Sequence, residues 1–331
     1  MIGRTNMKRR FLLGASALAA TLGLTGLAQA QDLPPLEQKD SYTVGFAQSE
    51  SNNPWRIAET KSFQDTAATC GWNLIVTDAG GSAAKQVADV DSMIAQGIDV
   101  LFLPPREESP LIPAVMRAKA AGIPTFLVDR SVDPNVAQAG RDYVAFLGSD
   151  FVDQGRRAAE YMMENFEGEQ GLIIQLEGTT GSSPANDRKS GFDEAIAGND
   201  KFQLLESRSG DFARDEGRQV METLLQAHPD VNIVYAHNDE MAIGAIQALE
   251  AAGRKPGEDV FVYSIDGTRD ALQAIIDGKM EVTVESSPFF GPLACETMKR
   301  YAAGETIEPW VKVEDRIFTA ENAAEHIDEA Y

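Results

Sequence analysis

Short, nearly unbroken apolar runs alternate with longer segments of helical period through most of the chain. VLFL at 100–103 and FVYSI at 261–265 are runs of the first kind. Strands covered on both faces of a parallel sheet read this way, whereas half-exposed strands alternate apolar with polar residues. Strands are expected at 42–47, 72–77, 99–103, 124–128, 144–147, 172–176, 202–208, 233–236, 260–264 and 281–285. Helices are expected at 54–69, 83–96, 111–121, 154–166, 184–197, 214–227, 240–252, 269–277 and 288–303. Strands alternating with helices of about 10–15 residues form βαβ units around a parallel sheet, an α/β class.

A weak internal repeat divides the pattern. GIDVLFLPP at 97–105 precedes a helix and then AGIPTFLVDR at 121–130; VNIVYAHND at 231–239 precedes a helix and then GEDVFVYSIDG at 257–267. Each half runs strand, helix, strand and places polar residues just past the strand ends. Two Rossmann-like lobes are expected, one from 41–148 plus 286–312 and the other from 149–285 plus 313–331. No low-complexity linker separates them, so the three crossings, near 148–150, 285–288 and 311–314, are expected to be short and ordered.

The first thirty residues stand outside this pattern. Lys8, Arg9 and Arg10 precede an apolar run from 11 to 27, and Ala28-Gln29-Ala30 supplies a small-x-small cleavage site. That order is a secretory signal peptide, and the run is short for a membrane span of about 20 residues. Removing it takes away four basic residues and no acid, leaving 25 basic against 51 acidic residues and a formal charge of −26. Such a surface repels nucleic acid and anionic membrane. The two cysteines, Cys70 and Cys295, both fall in helical segments far apart in the chain. An oxidising compartment permits a bridge, but two unpaired, buried cysteines are the expectation.

Ligands of open parallel sheets bind outside the carboxyl ends of the strands. The residues there are Asn53, Trp55 and Arg56 after the first strand, Asp129-Arg130 after the fourth, Arg188 on the helix after the Gly/Ser/Thr loop, Phe212, Asn238, Asp266 and Glu285. Asp78 and Asp239 are further candidates, although Asp239, like Asp270, reads equally as a helix cap. Carboxylates accept from hydroxyls, arginine donates in a fixed fork, and aromatic rings cover C–H faces, which is the inventory that recognises a sugar. Taken singly, Asp129-Arg130 reads equally as an internal ion pair and Trp55 as core. Enzyme signatures are missing: no P-loop, no G-x-G-x-x-G, no G-x-S-x-G and no zinc spacing, so no cofactor or metal is expected. Asp129 and Asp266 resemble a glycosidase pair only superficially, since Arg130 and Arg188 nearby are expected to hold acids ionised. His237, beside Asn238, is the one histidine near the expected cleft.

In order along the chain, Asn52-Asn53-Pro54-Trp55, Asp129-Arg130-Ser131, Asp187-Arg188 with Gly191-Phe192, Gly210-Asp211-Phe212, Ala236-His237-Asn238-Asp239 and Ser264-Ile265-Asp266-Gly267 resemble the ribose-type periplasmic binding proteins. DRKSGF, SRSGDFARDEG and VYAHNDEMAIGAIQALEAAG look most like the galactofuranose-binding branch. The resemblance spans 42–331. It implies a type I binding protein, a non-enzymatic monomer in the periplasm whose lobes close on one monosaccharide and deliver it to an ABC transporter permease. It implies that Trp55 and Phe212 sandwich the sugar ring, and that Asn53, Asp129, Arg130, Arg188, Asn238, Asp266 and Glu285 bond its hydroxyls. Two positions depart from the ribose members: Arg56 replaces a second aromatic and Glu285 replaces a Gln. Those departures imply a larger ligand with an exocyclic hydroxylated tail, such as galactofuranose, ahead of another pentose, hexose or alditol. A sugar-responsive regulator uses the same two-lobe module but needs a basic helix-turn-helix, where this chain has an export signal.

Overall fold

The computed structural model describes residues 33–331, and the expected signal peptide at 1–30 lies outside them. Strands β1 (Tyr42–Gln48), β2 (Trp72–Asp78), β3 (Val100–Leu103), β4 (Thr125–Val128) and β5 (Ala145–Gly148) come first, with helices α1 (Pro54–Cys70), α2 (Ala83–Ala95) and α3 (Ile112–Ala120) between them. The chain continues as α4 (Phe151–Asn165), β6 (Gly171–Glu177), α5 (Ser183–Ile196), β7 (Phe202–Ser209), α6 (Arg214–Ala227), β8 (Ile233–Ala236), α7 (Asp239–Ala251), β9 (Phe261–Asp266), α8 (Arg269–Ile276) and β10 (Val282–Glu285). It ends in α9 (Phe290–Ala302), β11 (Trp310–Lys312), β12 (Ile317–Thr319) and α10 (Ala323–His326). Every strand and helix expected from the apolar pattern is present. The unexpected elements, β11, β12 and α10, are three or four residues long, too short to carry a period.

The strands form two six-stranded sheets, ordered β11-β5-β4-β3-β1-β2 and β12-β10-β9-β8-β6-β7. All pairings are parallel except β10 with β12. The chain passes from one sheet to the other after β5, after β10 and between β11 and β12. β3, β4 and β8 are buried at every residue, as strands with helices on both faces must be. Each sheet carries a core on either side. One is an aromatic column in which Phe46 stacks on Phe63 at 4.1 Å and Phe63 meets Phe102 at 5.4 Å.

Three corrections concern α1, α7 and α8. Cys70 and Cys295 are not unpaired but joined in a disulfide, their Cα atoms 6.0 Å apart. The cause is the packing of α1 against α9, where the Gly291 N–H donates to Ser62 Oγ at 2.9 Å. The bridge pins the segment returning from the second crossing onto the first lobe. At α7 the cap is Asn238, whose side chain accepts from Met241 N at 3.1 Å, and not Asp239. Asp270 is likewise not a cap; Thr268 caps α8.

Candidate functional site

Nine of the ten expected contact residues line one cavity between the lobes: Asn53, Trp55, Arg56, Asp129, Arg130, Arg188, Phe212, Asn238 and Asp266, with Pro184 added. Its free volume is about 30 Å³, well below the roughly 300–1,000 Å³ of pockets that hold small molecules, so the side chains as placed lie close together across it. Asn53, after β1, and Asn238, after β8, play the same local role in different lobes. Each caps the helix that follows a strand, Asn53 accepting from Arg56 N at 2.9 Å and Asn238 from Met241 N. Pro54 then starts α1, where a missing N–H costs nothing.

The backbone is strained at this cavity. Among the described residues, the non-glycine positions with positive φ are Asp129 (57°), Asp211 (53°), Phe212 (58°) and Asp266 (139°). Asp129, Phe212 and Asp266 line the cavity and Asp211 adjoins Phe212; strained backbone of this kind clusters at functional sites. Glycine completes the frame. A Cβ on Gly178 would sit 1.9 Å from the Phe212 ring, and one on Gly155 would sit 2.1 Å from the Arg188 carbonyl oxygen. Only bare backbone lets Phe212 lie over the cleft and lets α4 approach α5 closely enough to set Arg188.

Trp55 and Phe212 enter from opposite lobes, and both are buried. The Trp55 Nε1 donates to the Ser286 carbonyl at 2.7 Å, fixing the indole to the second crossing. Arg56 lies 4.6 Å from the Trp55 ring; Arg130 and Arg188 lie 5.5 and 5.8 Å from Phe212. The lobes are in contact. Arg106 donates to Asp211 at 3.1 Å, Glu108 N to the Gly181 carbonyl at 2.9 Å, Ser131 N to Ser183 Oγ at 2.8 Å, and Asn186 Nδ2 to Glu108 at 2.8 Å.

The charges form a buried lattice. Arg56 bridges Asp129 at 2.6 Å and Glu59 at 2.9 Å, while Glu50 accepts from Arg130 at 3.1 Å and from Arg106. Burial pushes Glu50 upward, but the Arg130, Arg56 and Arg106 guanidiniums outweigh it and hold the carboxyl below its ordinary value. Burial, with Arg56 beside it, brings Arg130 down to about 10. Arg130 is 1% exposed, yet its Nε has no hydrogen-bond acceptor among the described residues, the nearest Asp129 oxygen lying 3.9 Å away. An orphaned buried donor of a charged group is costly unless a ligand meets it.

Asp266 departs from the expected balance. Burial raises it well above the ordinary aspartate value, with Asp239, Asp129 and Glu240 adding to the rise, and Arg188 at 3.5 Å does not reverse it. Proximity to Arg188 therefore does not lower this acid in the way the sequence suggested.

Three candidates fall elsewhere. Glu285 is not a cleft residue: its carboxylate accepts from Arg316 NH2 at 2.7 Å and Nε at 2.8 Å, outside the cavity. Asp78 is exposed and accepts from Gly80 N at 2.7 Å, a turn contact. Asp239 is buried under the cleft and binds the Ser264 hydroxyl, Thr283 Oγ1 at 2.7 Å and Thr268 N at 2.7 Å. His237 is buried behind the cleft, its Nδ1 accepting from Gly178 N at 3.3 Å. Arg106 and Glu59 went unnoticed in the sequence. Both had a signal: Arg106 follows the end of β3, and Glu59 lies one helical turn beyond Arg56.

Burial raises Asp239 and Asp315 to about 6, and raises Asp187 to about 6 with Glu108 and Asp150 adding to it. Their ordinary value is 3.8, so the folded state holds these protons more tightly than the unfolded chain. Each group then costs stability above its folded pKa, and the cost disappears as pH falls toward the ordinary value. Lowering the pH from about 7.5 to about 5.5 is expected to raise the Tm by a few degrees. A calorimetric Tm that stays flat or falls over that window contradicts this assignment.

Residues 44–306 match the family model described as periplasmic binding protein domain. The chain is 34% identical over 321 residues to the galactofuranose-binding protein YtfQ of Escherichia coli, covering 96% of both chains. A Mycobacterium smegmatis protein solved in complex with β-D-fucofuranose is 39% identical, with a TM-score of 0.83 over 87% of this chain and 94% of that one. The periplasmic binding protein component of the arabinose ABC transporter of Shewanella sp. ANA-3, bound to α- and β-L-arabinofuranose, is 34% identical, with a TM-score of 0.82 over 87% of this chain and 95% of that one. The chain belongs to the periplasmic binding protein family. It is a solute-binding component of transport and not an enzyme. No helix of the described residues is long and apolar enough to cross a membrane.

Proposed function

We propose that this sugar-binding component of an ABC importer takes an aldose in the furanose form, galactofuranose foremost, as a monomer in the periplasm, and presents it to its permease with the lobes closed. The observation that carries the reading is Arg130, which lines a cavity walled by aromatic rings from opposite lobes and whose buried Nε has no hydrogen-bond acceptor among the described residues. A sugar has C–H faces for Trp55 and Phe212 and hydroxyls that both accept from Arg130 and donate to Asp129 and Asp266. Asp266 favours hydrogen-bonding partners that offset its burial.

The furanose ring is what the three related proteins share in their ligands. The case for an exocyclic tail now rests on Arg56 alone, because Glu285 lies outside the cavity. Arg56 lines the cavity with its guanidinium bridged to Asp129 and Glu59, and a hydroxyl beyond the ring would meet it there. The test is a calorimetric titration of protein stripped of ligand by unfolding and refolding. Galactose, whose furanose carries the longer exocyclic tail, is expected to bind more tightly than ribose, which also supplies a furanose form. Preference for ribose rejects galactofuranose as the foremost ligand, and preference for a sugar locked in the pyranose form rejects the furanose reading.

A further inference from the structure

Gln154 on α4 is fully buried and does not line the cleft, yet both ends of its amide are engaged. Its Nε2 donates to the Glu285 carbonyl at 3.1 Å and to Asp315 Oδ2 at 2.8 Å, and its Oε1 accepts from Arg188 Nε at 2.9 Å. The amide orientation is fixed by its partners, because carbonyl and carboxylate only accept and a guanidinium only donates. Asp315 also accepts from the Ser149 hydroxyl at 2.9 Å, and its carbonyl accepts from Arg157 at 2.8 Å. Ser149, Glu285 and Asp315 each belong to a different one of the three crossings between the sheets. One buried side chain, with its carboxylate partner, therefore touches the whole hinge and a guanidinium of the cleft.

The far end of Arg188 faces the cavity, where NH1 donates to the His237 carbonyl at 2.6 Å and NH2 approaches Asp266 at 3.5 Å. A guanidinium held at three nitrogens has one orientation. Glu285 and Asp315 sit at the second-lobe ends of their crossings, where a change of hinge angle would have to be taken up against α4. Gln154 then either loses partners, which is costly for a buried amide, or turns and releases Arg188 Nε.

We propose that Gln154 is a positioning residue that couples the three hinge crossings to Arg188, so that cleft occupancy and hinge angle change together. This rests on the capture of a sugar in the cleft.

The test compares Gln154→Met, Gln154→Glu, Asp315→Ala and the double variant Gln154→Met/Asp315→Ala in the full protein, titrated with galactose and arabinose. Each single variant is expected to raise the Kd roughly 10- to 100-fold, as for one hydrogen bond to a charged group, chiefly through faster dissociation. The double variant is expected to be no weaker than the worse single one. Gln154→Glu keeps an acceptor for Arg188 but cannot donate to Asp315 or Glu285. Wild-type binding by that variant shows that only Arg188 needs support, and overturns the coupling. Additive losses in the double variant overturn it as well, as does a lowered Tm with Kd unchanged. In the ligand-free protein, distances between spin labels on the two lobes are expected to spread more widely in Gln154→Met and Asp315→Ala than in wild type. An unchanged distribution overturns the coupling even if the wild type takes none of these sugars, a result that would reject the sugar reading separately.

Discussion

Trp55→Ala is expected to weaken sugar binding by roughly 30- to 1,000-fold, the loss of about 2–4 kcal/mol of apolar burial and ring stacking. The indole is one of two aromatic walls of the cavity, and its Nε1 is tied to Ser286 in the second crossing. Its ring also packs on Phe290 with centroids 6.3 Å apart, so truncation costs some stability too. The two effects separate in one comparison. Trp55→Phe keeps an apolar face without the bond to Ser286 and is expected to lose far less affinity than Trp55→Ala. Titration of both variants, with circular dichroism to show that they are folded, decides the point. Undiminished affinity in Trp55→Ala removes that residue from the site.

Reduction of the Cys70–Cys295 disulfide is expected to lower the Tm by roughly 5–15 °C. The bridge closes a separation of 225 residues, and such long closures are worth about 2–4 kcal/mol in practice, which in a chain of this size is a shift of several degrees. Neither cysteine lines the cleft, so the Kd of the reduced protein is expected to match that of the oxidised one. Calorimetry with and without reductant measures the first effect and titration the second. A Tm within a degree or two of the oxidised value shows that α1 and α9 are held by packing alone.

Reading the sequence for strand ends located most of the cleft, because in a parallel sheet every strand delivers its carboxyl end to the same edge. That rule needs only the apolar runs, and these are unambiguous at VLFL and FVYSID. It fails at Glu285 for a reason of register. Glu285 pairs with Asp266 across β9 and β10, but Asp266 leaves its strand at φ 139° and enters the cavity, while Glu285 stays regular and meets Arg316. No single-sequence pattern reveals which of two paired acids carries a strained backbone.

The disulfide escaped for a different reason. Helical period gave α1 and α9 their existence but not their contact, and that contact alone brings the cysteine Cα atoms within 6.0 Å. At Asp266 the expectation weighed only the neighbouring charge of Arg188. Burial is the larger influence, and its extent becomes visible only once both lobes are in place. Gln154 carried no signal at all, since one glutamine within a helix looks like any other until three distant segments converge on it.

The central claim is that the closed cleft selects a five-membered sugar ring. Carbon NMR of uniformly 13C-labelled galactose bound to the refolded protein tests it most directly, because the anomeric carbon resonates at different positions in furanose and pyranose rings. The bound signal is expected at the furanose position, although that form is the minor one in free solution. A bound signal at the pyranose position would contradict the account.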